Sequence, residues 1–220
     1  MKYFYFYIFI LLTFIFVMSY VNTYREPFNS NKQTFVLLGD SIFQNNAYVS
    51  TGKNICQLFR EKTDNHTICL AVDHSKIIDV YSQIEKIPDE LNNGYTTVFL
   101  SAGGNDILTH YVDQGNNITD TQILDSMFSE YKNLLKSIYD KMPDANIVLL
   151  DIYYPNSPTY TKYQNIISEW NKKIHDFARK NNYSILKVST IITKPEDFAF
   201  GIEPSQTGGQ KLVQSILSTF

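Results

Sequence analysis

The chain has 220 residues, a formal net charge of −3, and is 44% hydrophobic and 15% aromatic. That balance excludes a basic surface for nucleic acid or acidic lipid. Two cysteines and four histidines supply no metal-ligand cluster, so neither a metal nor another cofactor is expected.

The first element is apolar. "YFYFYIFILLTFIFVMSYV", Tyr3 to Val21, carries no charge and follows Lys2. Its length matches the ~20 residues of a membrane-spanning helix with a cytoplasmic start. The exit "VMSYVNTYREP" has no small-x-small cleavage site, so the spacing predicts an uncleaved single-pass signal-anchor over residues 1–21. A cleaved signal peptide is the alternative. Either arrangement puts the rest of the chain outside the cytosol, lumenal or extracellular if anchored and secreted if cut. Residues 22–33 are polar, contain Pro27, and read as a linker; residues 34–220 form one domain with enough chain for a full core.

Strand and helix patterns then alternate. "TFVLL" (residues 34–38) predicts a buried strand. Ile55, Leu58 and Phe59 predict a helix over 52–62. "TICLAV" (67–72) predicts a second strand, and a helix follows over 76–87, ahead of Pro88. "TTVFLSA" (96–102) predicts a third strand. A Gly- and Asn-rich insert comes next. Ile123, Leu124, Met127, Phe128, Tyr131, Leu134, Leu135 and Ile138 then recur on one face of a long helix, with Thr119 or Asp120 as its cap. "NIVLLDIYY" (146–154) predicts a fourth strand. Tyr163, Ile166, Ile167, Trp170, Ile174 and Phe177 mark another helix. "SILKV" (184–188) predicts a fifth strand, and a closing helix follows Gly208 and Gly209. Near-continuous apolar strands alternating with helices predict one doubly wound α/β domain around a parallel sheet of about five strands.

Three sequons, at Asn65, Asn117 and Asn182, suit a glycoprotein of the secretory lumen; in so Asn-rich a chain they also arise by chance. Cys56 and Cys69 either pair in an oxidising compartment or remain two buried thiols.

Ligands of open parallel sheets bind beyond the carboxyl ends of the strands. With strand order 2-1-3-4-5, the tails Gly39-Asp40-Ser41, Asp73-His74-Ser75 and Gly103-Gly104-Asn105-Asp106 become neighbours. Ser41 at the start of a helix or turn would have unpaired backbone N–H groups beside it, able to stabilise an oxyanion. Asn105 adds a side-chain amide donor of the same use. Each tail alone reads as a cap or a turn; together they point to a nucleophilic serine. Tyr153 and Tyr154 are placed to line an acyl or sugar pocket, or to pack at its rim.

"LLGDSIFQNNAYV", "SAGGND" and "EPSQTGGQKL" resemble the three sequence blocks of the SGNH/GDSL hydrolases, serine esterases and lipases on a flavodoxin-like three-layer α/β/α sandwich. The resemblance spans residues 34–220. It implies that Ser41 is the nucleophile and an oxyanion donor, that Asn105 is the side-chain donor, and that the substrate is a small-molecule, glycan or lipid ester. Two positions depart from the pattern. His74 stands where the family places a glycine, and Glu203-Pro204 stands where it places the basic His-Pro, with Phe200 in place of the partner Asp. The reading "EPS" resembles a subgroup of SGNH-like proteins. Glu203, His74 and His110 are therefore the candidates for general base, with His66 and His175 behind them. The alternative is a catalytically silent SGNH-fold domain that binds glycans or serves as a structural membrane glycoprotein.

Overall fold

The computed structural model describes Thr13, residues 32–112 and residues 120–220, with residues 110–112 and 120 described by backbone alone. The chain divides into two compact units, Met1–Lys32 and Gln33–Phe220. The expected anchor, nearly all of the linker and the Asn117 sequon lie outside the described residues. Among the described residues no helix is long and apolar enough to cross a membrane.

The second unit runs β1 (Thr34–Leu38), α1 (Ile55–Lys62), β2 (His66–Cys69), α2 (Ile77–Ile84), β3 (Thr96–Leu100), α3 (Gly104–Val112), α4 (Asp120–Lys141), β4 (Asn146–Leu150), α5 (Gln164–Asn181), β5 (Ser184–Leu186), α6 (Val188–Ile191), β6 (Phe198–Ala199), β7 (Glu203–Pro204) and α7 (Gln206–Thr219). The main sheet has the order β2-β1-β3-β4-β5, parallel throughout. Helices on both faces make the three-layer α/β/α sandwich of the SGNH fold.

β1 and β3 are buried at every position. Their side chains alternate between two cores. Val36, Leu38, Val98 and Leu100 join Ile84, Leu134 and Trp170 on one face. Phe35, Leu37 and Phe99 join Phe59, Leu212 and Ile216 on the other. Each such side chain stabilises the fold by about 1.5–3 kcal/mol through lost apolar surface.

The second to fifth strands are all shorter than their predicted runs, the third ending at Leu100 ahead of Ser101 and Ala102. After Cys69, the N–H groups of Leu70 and Ala71 share the Leu37 carbonyl at 3.0 Å each, which breaks the one-for-one ladder. After Leu150, the Asn171 amide takes both the N–H and the carbonyl of Ile152, at 2.8 and 2.7 Å. The backbone thus pairs with a side chain instead of another strand. Val188, expected in the fifth strand, opens α6. Four elements go beyond the sequence pattern: α3 begins where a turn was expected, α6 follows β5, and β6 and β7 form a two-stranded antiparallel hairpin. The closing helix starts ahead of its glycines. Gly208 and Gly209 lie inside it, where a Cβ would come 2.3 Å from the Asp197 carbonyl oxygen and 3.0 Å from Ile55.

Cys56 of α1 and Cys69 of β2 form a disulfide, which resolves the two readings of the cysteine pair.

Candidate active site

Ser41 follows β1 across a turn that only glycine can make. Gly39 has φ +124°, and a Cβ there would lie 1.8 Å from the Ser101 carbonyl oxygen. Gln83, buried on α2, clasps the turn: its carbonyl oxygen accepts from Gly39 N–H at 2.7 Å and its amide donates to Gly39 O at 2.9 Å. The N–H groups of Phe43 and Gln44 both reach Asp40 O at 3.1 Å. Ser41 therefore sits in a tight turn and heads no helix. Among the described residues its N–H has no hydrogen-bond partner, a product of turn geometry.

Asn105 lies in the first turn of α3. The entry to that helix is Gly103, at φ +108°, where a Cβ would strike the Trp170 ring at 2.4 Å. Asn105 Nδ2 donates one hydrogen to Ser75 O at 3.0 Å. An amide carries a second, which remains for a ligand.

Ser41, Asn105 and Glu203 line one open cleft, together with Asp40, Ile42, Gly104, Ile107, Leu108, Ile152, Tyr153, Pro155, Ile167 and Ile202. One end is polar and the rest apolar. Tyr153 is on this wall as expected; Tyr154, 37% exposed, is not among the lining residues.

Glu203 is delivered by the β6–β7 hairpin. The carbonyls on either side of it are both held from the core: Tyr153 OH donates to Ile202 O at 2.5 Å and Asn45 Nδ2 to Pro204 O at 3.1 Å. Burial raises the Glu203 pKa, the Ser41 hydroxyl opposes this by stabilising the carboxylate, Asp73 raises it further, and His74 lowers it. The hydroxyl thus acts on the carboxyl, yet among the described residues Glu203 Oε2 is buried with no hydrogen bond of full geometry.

The histidines separate. His74 holds φ +62°, which explains why a glycine belongs there: left-handed backbone costs a side-chain-bearing residue about 1–2 kcal/mol. Its ring is not among the cleft-lining groups. Nε2 lies 3.5 Å from Tyr48 OH and 3.6 Å from Asp73, and the side chain is 76% exposed. His110 belongs to α3 by its backbone. His175 Nε2 is 2.9 Å from buried Asp151, which also accepts from Ser189 N–H and Oγ. That carboxylate ties α5 to α6. His66 is exposed on the β2 edge. Of the candidates, only Glu203 reaches the cleft as a described side chain. Among the described residues no group of three or more His, Cys, Asp or Glu could hold a metal ion.

Two further carboxyls shape the site. Asp40 accepts from Ile42 N–H at 3.1 Å and Ser101 Oγ at 2.9 Å. Burial nevertheless raises its pKa to about 7, with Glu203 and Asp106 adding to the rise. Asp106 takes the Ile77 N–H and so caps α2; burial raises it to about 6.

This geometry agrees with sequence comparison. The model of the GDSL-like Lipase/Acylhydrolase family matches residues 37–211. The chain belongs to that family. Similar solved structures share its fold. A member of the lipolytic G-D-S-L family from Veillonella parvula DSM 2008 superposes with TM-score 0.65 at 18% identity, over 86% of this chain and 98% of that one. Phospholipase A1 from Streptomyces albidoflavus NA297 gives 0.60 at 14%, over 86% and 100%. The acetyl xylan esterase AlAXEase gives 0.64 at 16%, over 84% and 98%. No curated protein sequence matches significantly.

The sequence named Ser41, Asn105 and Glu203, and these three meet in this GDSL-family cleft. It missed Asn45 and the grip of Tyr153 on the hairpin. Asn45 sits in a stretch with no periodic signal, and its partner Pro204 is 159 residues away.

Proposed function

We propose that the protein is a serine hydrolase of carboxylic esters that works through an acyl-Ser41 intermediate. The observation that carries this is the single cleft shared by the Ser41 hydroxyl, the Asn105 amide and the Glu203 carboxyl. Family membership supports an acylhydrolase activity.

Glu203 is assigned as the general base. A free glutamate, with pKa near ~4.3, is a weak base for a hydroxyl; burial moves this one in the useful direction. The carboxylate takes the proton as Ser41 Oγ attacks the ester carbonyl. The oxyanion that forms is held by Ser41 N–H and the second hydrogen of Asn105 Nδ2. Collapse breaks the bond to the alkoxy group, which leaves as alcohol with the proton from Glu203. Water, activated by the same carboxylate, then frees the acid and restores Ser41. The apolar cleft wall, including Ile107, Leu108, Ile152 and Ile167, takes the acyl chain. We place the domain outside the cytosol, anchored by residues 3–21. The uncharged N-terminal stretch and the Cys56–Cys69 disulfide support this, because such bonds persist in oxidising compartments. No observation favours the catalytically silent alternative.

The test is a purified domain assayed on short p-nitrophenyl esters and with a fluorophosphonate probe. Wild-type protein labels and turns over; Ser41→Ala does neither. Equal labelling of the two proteins rules out Ser41 as the nucleophile.

A further inference from the structure

Three non-glycine residues among those described hold positive φ: His74, Asn182 and Phe200. Asn182 is the C-cap of α5, a position where asparagine is common. The other two have no such reason. They flank one ring, Tyr48. Phe200 meets it edge-on at 6.4 Å between centroids, and His74 Nε2 lies 3.5 Å from its hydroxyl. Phe200 is 82% exposed. Neither ring is kept for packing, and glycine would relieve the backbone at both positions. Residues held against their backbone preference gather where ligands bind.

The patch adjoins the catalytic groups. Phe200 lies on the turn of the hairpin that carries Glu203, and the Glu203 carboxyl feels the charges of Asp73 and His74. Yet Tyr48, Asp73, His74 and Phe200 line no part of the acyl cleft. The hairpin that brings Glu203 to the cleft thus carries Phe200 to a second surface. The cleft is mostly apolar. The other surface is aromatic and open: Phe200 and the His74 ring stand largely in solvent, and Asp73 Oδ2 takes the Tyr48 hydroxyl at 2.7 Å, while Oδ1 is buried.

We infer that Tyr48, Asp73, His74 and Phe200 form the subsite for the alcohol part of the ester, and that this part is a sugar. The inference rests on the hydrolase reading above. A sugar offers what the patch lacks: a C–H face for the exposed ring, and hydroxyl donors for carboxylate and imidazole. An alkyl alcohol would strip water from Asp73 and His74 without replacing it. A phosphate-bearing alcohol would meet the carboxylates of Asp73 and Glu203. A quaternary ammonium alcohol is the remaining rival, because rings beside carboxylates also suit a cation.

The test compares wild type with Phe200→Gly, a replacement that suits the positive φ and so keeps the turn. Three octanoyl esters are assayed: of glucose, of ethanol and of choline. The ratio of kcat/KM for the glucose ester over the ethyl ester is expected to fall about tenfold. An unchanged ratio, or a larger loss on the choline ester, overturns the sugar assignment. Octyl glucoside, an acetal with no ester bond, gives a reading free of turnover. Calorimetry below its micelle concentration is expected to show binding to wild type and about fivefold weaker binding to Phe200→Gly. If no ester is cleaved but this difference appears, the hydrolase reading fails and the subsite stands. Equal glucoside binding by the two proteins overturns the subsite.

Discussion

Replacing Asp40 by Asn should make stability less dependent on pH, by an amount the site geometry fixes. Asp40 is 5% exposed, and burial lifts its pKa from 3.8 to about 7. Between those values the unfolded chain ionises this carboxyl while the folded protein keeps it protonated. The folded state then holds more protons, so stability falls as pH rises through the window. At about 1.4 kcal/mol per pH unit, the displacement is worth roughly 4 kcal/mol between pH 4 and pH 7. Asn keeps an oxygen for Ile42 N–H and Ser101 Oγ and does not titrate. Urea melts of wild type and Asp40→Asn at half-unit steps from pH 4 to 7.5 measure the effect. Near pH 4 the two should differ little; toward neutrality the variant should become the more stable by several kcal/mol. Asp106 and Glu203 have raised pKa values as well and are present in both proteins; because both are coupled to Asp40, the difference reads Asp40 together with that coupling. A gap that stays constant across the range refutes the argument, because it would mean the carboxyl ionises alike in both states.

Further outcomes follow from the same structure. Glu203→Gln should cut kcat by about 10²–10⁴, and wild-type activity should fall on acidification through a limb lying above the ordinary glutamate range, since burial raises this pKa; a pH–rate profile of both proteins decides it. Tyr153→Phe leaves Ile202 O without its donor, at a cost of about 1–3 kcal/mol; kcat should drop more than KM changes, and an unaltered kcat removes Tyr153 from the positioning of Glu203. Gly39→Ala should not fold, because its Cβ would overlap the Ser101 carbonyl; a cooperative thermal melt near that of wild type contradicts this. Reducing Cys56–Cys69, which closes a loop of 13 residues, should cost about 3 kcal/mol, read as a shift of the urea midpoint with and without dithiothreitol.

Much of this protein is written locally. The apolar runs at 34–38 and 96–100 became strands because a sheet covered on both faces needs side chains buried on both. The long helix and α5 announced themselves by their apolar spacing. The tails GDS and GGND put Ser41 and Asn105 at strand ends, and these ends are neighbours because the sheet has the supposed order 2-1-3-4-5. What stayed hidden depends on groups distant in sequence. Turn residues at 103–105 start α3 because Trp170 fills the space beside Gly103. Glu203 is one carboxylate among many until Tyr153 and Asn45 hold the carbonyls on either side of it. Phe200 and His74 look like ordinary loop residues until both prove to hold left-handed backbone around Tyr48. Periodicity reports which face of an element is buried. Only the closed fold decides which polar groups meet there, and their protonation follows from how much water each one loses.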